Sequence, residues 1–198
     1  SDETLHQLIA LYKKGQIRTV IKECDWLTKE FPQSFVLWNL LGAAHNVQGT
    51  LEEAIASYNK ALLIKPDYAE AHNNMGVVFQ AQSKHEEAIA AYSKALLIKP
   101  DYADVHNNMG NALTDQGKLE EAITAFNKAL SIKPDYAEAH LNLSALKKYT
   151  YSDSQMVQMS KLYTNANISV ESRCLLCFAL AKSFEDLGNL EKAFRYLK

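Results

Sequence analysis

The chain has 198 residues, 47% of them hydrophobic, and a formal net charge of −2 at pH 7. This length is enough for a sizeable core, and the charge balance offers no basic surface for nucleic acid, so we expect no nucleic-acid partner. No apolar run approaches the roughly 20 residues that span a bilayer, and the N-terminal SDETLHQL lacks the build of a signal peptide, so we expect no membrane partner and a cytoplasmic location.

A regular spacing of prolines organises the chain. The segments that follow two of them share the run HNNMG and both end in KPDY. A fixed period of this length is typical of a solenoid of stacked supersecondary units. The prolines follow one another at intervals of 34 residues: Pro32, Pro66, Pro100 and Pro134.

Side-chain types recur with the same period when each repeat is numbered from the third residue after its proline. Apolar residues return at helical spacing through positions 4, 7, 8 and 11 and again through 20, 24 and 27, which predicts two amphipathic helices per repeat. Small residues at positions 8, 20 and 27 favour close helix contact, and an aromatic ring at position 24 fills the space beside them. These residues are Gly42, Gly76, Gly110 and Ser144 at position 8, Ala54, Ala88 and Ala122 at 20, Tyr58, Tyr92 and Phe126 at 24, and Ala61, Ala95 and Ala129 at 27.

Turn and cap residues separate the predicted helices. Glycine at position 15 (Gly15, Gly49, Gly117) divides the two helices of a repeat, and Thr50 begins a capping box for a second helix. Proline ends each second helix, and an aspartate such as Asp67 after it offers an acceptor to the next first turn.

The pattern resembles the tetratricopeptide repeat family, through Trp38-x-x-Leu41-Gly42, Ala54, Tyr58, Ala61 and Pro66 and their equivalents one and two periods later. The resemblance implies an all-α fold, a right-handed superhelix (solenoid) of helical hairpins. We expect residues 1–198 to form a single solenoid, with repeats at about 1–34, 35–68, 69–102 and 103–136, a degenerate repeat at 137–173 and a partial one at 174–198.

Both ends depart from the period. Val20, Cys24 and Leu27 replace the small and aromatic residues in the first repeat, as in a terminal repeat. After Tyr149 the period fails, and a shorter helix is expected from residues 151–153 to about 163 before the pattern returns with a three-residue insertion. The sequence stops at Lys198, within a predicted second helix, so we expect a fragment of a longer protein.

The candidate binding surface is the inner face of the first helices, where positions 2, 6, 9 and 13 point away from the core. An asparagine amide carries donors and an acceptor, so a row of them can pair with the backbone of an extended peptide whatever its side chains. Alternatively, the amides bond to each other or to water between helices, or the face is only solvated. The candidate residues are Asn74, Asn108 and Asn142 at position 6, Asn111 at position 9, and Asn39, Asn73 and Asn107 at the groove edge.

This row is similar to the asparagine ladder of O-linked N-acetylglucosamine transferases, in which such amides hold substrate peptides. Asn74, Asn108 and Asn142 match that pattern, whereas Leu40 departs from it at the N-terminal end.

The charge of the same face indicates which class of peptide it could bind. Four acidic residues are expected to project into the groove: Glu70, Asp104, Asp115 and Glu138. Lys148 is the only lysine expected near them. A clamp for acidic peptides would need more cations, so we expect a neutral to basic peptide or protein segment as the partner.

The recurring histidines and the cysteines do not predict a zinc or redox site. His72, His106 and His140 recur at position 4, but stacked helices hold equivalent residues about 8–10 Å apart, too far to share one zinc, so packed or hydrogen-bonded histidines are expected. The three cysteines, Cys24 and the pair Cys174-x-x-Cys177, cannot all pair with one another, which fits a reducing compartment. The pair lies in a predicted helix with no second pair, which weighs against a zinc or redox site. We expect no metal and no cofactor.

No nucleophile and base set, phosphate loop or paired catalytic carboxylates appear, so we expect a binding scaffold and not an enzyme. The alternative is a substrate-targeting arm of a larger transferase. The stretch from Cys177 to Gly188, with Ala193-Phe194, resembles the last repeat before the catalytic domain of bacterial repeat-containing sulfotransferases, and a catalytic domain would lie beyond Lys198. We also expect the apolar C-terminal end to allow self-association.

Overall fold

The computed structural model describes residues 2–198, which form helices and no strand. The chain divides into two compact units, unit 1 (Ser1–Pro100) and unit 2 (Asp101–Lys198). No helix within the described range is long and apolar enough to cross a membrane.

Unit 1 consists of three helical hairpins in which each helix packs against the next along the chain. The second helices end two residues before Pro32, Pro66 and Pro100, as the sequence predicted. The helices are α1 (Asp2–Lys13), α2 (Ile17–Glu30), α3 (Phe35–Gln48), α4 (Leu51–Ile64), α5 (Ala69–Ala81) and α6 (His85–Ile98).

Unit 2 begins with the same hairpin and then changes. Helix α9 packs chiefly on α11 and makes few contacts with α10, which itself packs on α11. The degenerate repeat is therefore not a closed hairpin of α9 and α10. The helices are α7 (Ala103–Asp115), α8 (Leu119–Ile132), α9 (Ala137–Leu146), α10 (Ser154–Thr164), α11 (Val170–Asp186) and α12 (Leu190–Tyr196).

The helix contacts depend on the small and aromatic residues of the repeat. The alanines at positions 20 and 27 are fully buried, and so are the rings of Tyr58, Tyr92 and Phe126. Each ring lies directly over the position-8 glycine of its own hairpin: an added Cβ on Gly42 would be 2.6 Å from a ring carbon of Tyr58. The prediction that small residues permit close helix contact is confirmed.

The predicted caps are only partly confirmed. Thr50 is the N-cap residue of α4, but its hydroxyl bonds to His45 instead of closing a capping box. The N-cap residues of α5, α7 and α9 are Tyr68, Tyr102 and Tyr136, one residue after the expected aspartates, and none makes a side-chain cap bond. The prediction for Asp67 and its equivalents was wrong because the aspartate still belongs to the turn after the proline, and the helix begins only after the tyrosine that follows it.

Candidate functional site

In unit 1, two asparagines from successive first helices are hydrogen-bonded to each other. The Asn74 amide on α5 donates from Nδ2 to Oδ1 of Asn39 on α3 at 3.1 Å. The neighbouring Asn73 donates to Oδ1 of Asn74 at 3.4 Å. Asn39 and Asn74 are half-buried, whereas Asn73 is 9% exposed. The bond leaves both N–H groups of Asn39 for another partner.

Unit 2 repeats this geometry with different neighbours. Asn142 on α9 donates from Nδ2 to Oδ1 of Asn107 on α7, again at 3.1 Å. Asn107 in turn donates to a carboxylate oxygen of Glu138 at 3.5 Å. In both units the bond joins position 6 of one repeat to position 5 of the repeat before it. We call the Asn39–Asn74 and Asn107–Asn142 contacts the amide pairs.

The amide pairs change the expected role of the position-5 residues. Asn73 and Asn107 were expected at the edge of a groove, but Asn107 has no exposed surface and Asn73 very little. A buried amide needs hydrogen-bond partners, and its neighbours on the same face supply them. These two residues therefore orient the half-buried amides of Asn74 and Asn142. The half-buried Asn108 and Asn111 lie on α7 of unit 2.

Acidic residues lie on the same first helices as the amides. Glu70 is half-buried in unit 1, and Asp104, Glu138 and Asp115 are exposed in unit 2, where Lys148 is also exposed. The face of unit 2 that carries Asn142 is thus rich in acceptors and negative charge.

Tyr136 is a further residue of this face, and it interacts with two of its acidic groups. Its hydroxyl hydrogen-bonds to Asp104, and Glu138 lies close enough to interact with it electrostatically. Burial is the main cause of the raised pKa of Tyr136, and the two carboxylates raise it further. The hydroxyl therefore remains a donor and fixes Asp104. The 34-residue recurrence of tyrosine after KPD was the signal that could have indicated it.

The position-4 residues have a structural role. His72 Nε2 lies 3.0 Å from the carbonyl oxygen of Pro66, and His140 Nε2 lies 3.0 Å from that of Pro134. Trp38 donates in the same way to Pro32 at 2.9 Å. The prediction of hydrogen-bonded histidines is confirmed for His72 and His140. Among residues 2–198, no group of three or more metal-ligating side chains could hold a metal ion.

Helical hairpins of fixed period with polar side chains along the first helices define a class of repeat protein. A family profile described as TPR repeat matches residues 42–83, 78–117 and 110–147, which together cover more than half of the chain. The chain belongs to the tetratricopeptide repeat family.

Solved structures share this fold. PilF of Pseudomonas aeruginosa aligns with a TM-score of 0.75 and 22% identity over 100% of this chain and 90% of that one. YrrB, a TPR protein with an unusual peptide-binding site, aligns with a TM-score of 0.65 and 18% identity over 88% of each chain. The first TPR of Spaghetti (RPAP3), bound to the HSP90 peptide SRMEEVD, aligns with a TM-score of 0.56 and 24% identity over 58% of this chain and 90% of that one. None of the curated proteins matches significantly.

Proposed function

We propose that the chain is a protein-binding scaffold whose units each hold an extended segment of a partner through half-buried asparagine amides. The observation that carries the proposal is the pair of equal contacts, Asn74 to Asn39 and Asn142 to Asn107, both 3.1 Å. Each amide that faces outward is held in orientation by another amide. An oriented group loses less conformational entropy when it binds, so the surface is preorganised.

The free atoms of the amide pairs suit a peptide backbone. Asn39 retains its N–H donors, and Asn142 retains its carbonyl oxygen as an acceptor. A donor and an acceptor are what a backbone C=O and N–H require. Asn108 and Asn111 are further asparagines on α7 in unit 2. Such contacts select an extended conformation and place few demands on side chains.

The charge of the surface selects among partner segments. Exposed Asp104 and Glu138 flank the Asn107–Asn142 pair, and half-buried Glu70 lies on the helix that carries Asn74. We infer a neutral to basic segment, because an acidic one would be repelled. The RPAP3 structure holds an acidic peptide. This chain would therefore bind a different class of ligand on the same fold.

The competing interpretation is that the amides only tie neighbouring first helices together. The same two bonds would then be present without any ligand role. Binding measurements with matched variants separate the two interpretations.

The test is a peptide-array screen of the full chain and of Asn74→Ala and Asn142→Ala variants, followed by titration of the best ligands. Exposed Asn59 and Asn127, at position 25 of second helices, supply matched controls as Asn59→Ala and Asn127→Ala. We expect each first-helix variant to weaken binding about tenfold, the effect of losing one or two neutral hydrogen bonds, and the controls to bind as the parent does. Equal binding by all five proteins would leave the amides with a structural role only.

Charge is tested separately. Glu138→Gln should weaken the binding of basic peptides and reduce its salt dependence, because one flanking carboxylate is lost. Preference for acidic peptides in the parent would contradict the assignment of partner class.

The targeting arm of a larger transferase is a second prediction that rests on the sequence resemblances alone. In this alternative the repeats would be part of the same chain as a catalytic domain, whereas a scaffold needs none. The full-length reading frame tests it directly.

A further inference from the structure

Two thiols and two tyrosines lie together at the end of unit 2 that the amide pairs do not use. Cys174 and Cys177 are three residues apart on α11, so their side chains share one helix face. Cys174 is exposed and Cys177 is partly so. The Tyr163 hydroxyl hydrogen-bonds to Cys177, and the Tyr163 ring packs edge-on to Tyr196 with 5.2 Å between centroids.

The spacing of the thiols favours a bridging atom over a direct bond. Residues three apart on a helix have their Cβ atoms about 5–6 Å apart, whereas a disulfide brings them to about 3.5–4.5 Å. An intact α11 therefore holds the Cβ atoms farther apart than an unstrained disulfide does. Two sulfurs that each lie about 2.3 Å from a central metal ion are up to about 4.6 Å apart, which the helical spacing accommodates.

The number of side chains available as ligands indicates which metal ion could bind. A structural zinc site needs four ligands, and within residues 2–198 no third cysteine, histidine or carboxylate completes a group around this pair. Two thiolates are soft ligands that suit Cu(I), an ion that accepts two-coordinate linear geometry.

Burial disfavours a charged thiolate at Cys177, and the nearby Arg173 opposes that effect. Burial raises the pKa of Cys177, and the charge of Cys174 raises it further, while Tyr163 and Arg173 act in the opposite direction. Binding would follow Cu⁺ + 2 RSH → [Cu(SR)₂]⁻ + 2 H⁺, which leaves one negative charge. Arg173 is held beside the site, since its guanidinium packs over the Tyr163 ring at 5.9 Å and donates to the Asn165 carbonyl at 3.1 Å.

We propose that Cys174 and Cys177 form a two-thiolate site for a soft monovalent metal ion, Cu(I), with Arg173 as its counter-charge. The site is independent of the peptide-binding proposal, because it lies on α11 and that proposal depends on the first helices of the earlier repeats.

The test is an anaerobic titration of the reduced full chain with Cu(I) against a chromophoric Cu(I) chelator. We expect one tightly bound equivalent in the parent and none in Cys174→Ala or Cys177→Ala. Cys24→Ala is the matched control: its thiol is buried in α2 with a pKa raised to about 12, so this variant should keep the full equivalent. Arg173→Gln should retain the stoichiometry but bind about tenfold more weakly, as expected for a supporting residue.

Circular dichroism of each variant checks that α11 remains folded. The proposal is overturned if the Cys174→Ala/Cys177→Ala double variant retains the bound equivalent, or if Cys24→Ala loses it. Equal affinity for Zn(II) in the same competition would overturn the assignment to a soft monovalent ion.

Discussion

At the scale of single residues, the turns inside the hairpins differ in one respect. Gly15, Gly49, Gly117 and Gly188 all have a positive φ, between +71° and +83°, and Ser83 has a φ of +58° at the equivalent turn. The backbone bonds are also equivalent, since Ser83 donates to Gln80 and Gly117 to Thr114, both at 2.9 Å. Ser83 therefore adopts a backbone conformation that costs a residue with a Cβ about 1–2 kcal/mol.

Ser83→Gly should stabilise the protein. Relief of the left-handed strain outweighs the greater entropy of glycine in the unfolded chain, so we expect a gain of about 1 kcal/mol in the free energy of unfolding in urea. Gly117→Ser is the mirror experiment: a Cβ there meets no atom within 4 Å, so any loss of about 1 kcal/mol comes from the backbone alone. No change in either variant would show that these turns relax without strain.

Gly110→Ala should destabilise the protein by steric overlap. The added Cβ would be 2.6 Å from Cε1 of the buried Phe126 ring, a distance that real Cβ contacts do not show. We expect a loss of about 1–3 kcal/mol in the free energy of unfolding. Phe126→Leu in the same chain should recover part of that loss, since it removes the ring. A Gly110→Ala variant as stable as its parent would mean that α7 and α8 can separate freely.

At the scale of helices, α9, α10 and α11 are joined by a buried polar network in place of a regular hairpin. The His140 ring has no exposed surface, and Gln155 Nε2 on α10 lies 3.3 Å from its Nδ1. Tyr149 donates to Oε1 of Gln155 at 2.9 Å, and its backbone N–H donates to Asp186 at 3.1 Å. With Nε2 of His140 donating to Pro134, Nδ1 must be the acceptor for Gln155, so the ring is neutral.

Stability should therefore fall with acid through His140. Burial lowers the pKa of His140 in the folded protein below its ordinary value of 6.5, against opposing effects of the Pro134 bond and Asp135. The unfolded chain then binds a proton that the native one does not. The contribution is complete above about pH 6.5 and declines as the pH falls below it, by at most about 1.4 kcal/mol per pH unit.

His140→Gln should reduce this slope, because glutamine does not titrate. The measurement is urea denaturation of parent and variant between pH 7.5 and pH 5, with the slope compared and not the absolute stability. Parallel slopes would indicate that His140 is protonated in the folded protein as readily as in the unfolded chain.

At the scale of the whole molecule, unit 2 exposes an apolar groove between α11 and α12. Phe178, Leu190, Phe194 and Leu197 line it, with Phe194 60% and Leu190 66% exposed. Clustered apolar side chains of this kind are typical of contact surfaces, and the predicted self-association would use them.

Sedimentation should therefore show reversible association of the parent chain at high concentration. Phe194→Asp should shift it to monomer, because a charge would be buried in the contact. Leu97→Asp, at a leucine that is 84% exposed in unit 1, is the matched control and should sediment like the parent. A parent chain that stays monomeric throughout would exclude this contact.

Much of the local structure could be predicted from the 34-residue period. The helix ends before Pro32, Pro66 and Pro100 and the glycine turns followed from backbone chemistry that acts within a few residues. The close contact between Gly42 and the Tyr58 ring could be predicted because both residues belong to one hairpin, where the helical repeat brings them together. The candidate asparagines were also visible, since they recur at fixed positions.

The sequence alone determined the family, the hairpins and the residues that pack within them, because these depend on contacts close in the chain. Only the tertiary structure decided that Asn107 is buried while Asn142 stays half-exposed, and that α9 packs on α11. Those outcomes depend on which side chains meet between successive repeats and on where a three-residue insertion places the next helix. Such contacts join residues more than 30 positions apart, and a one-dimensional pattern does not specify their geometry.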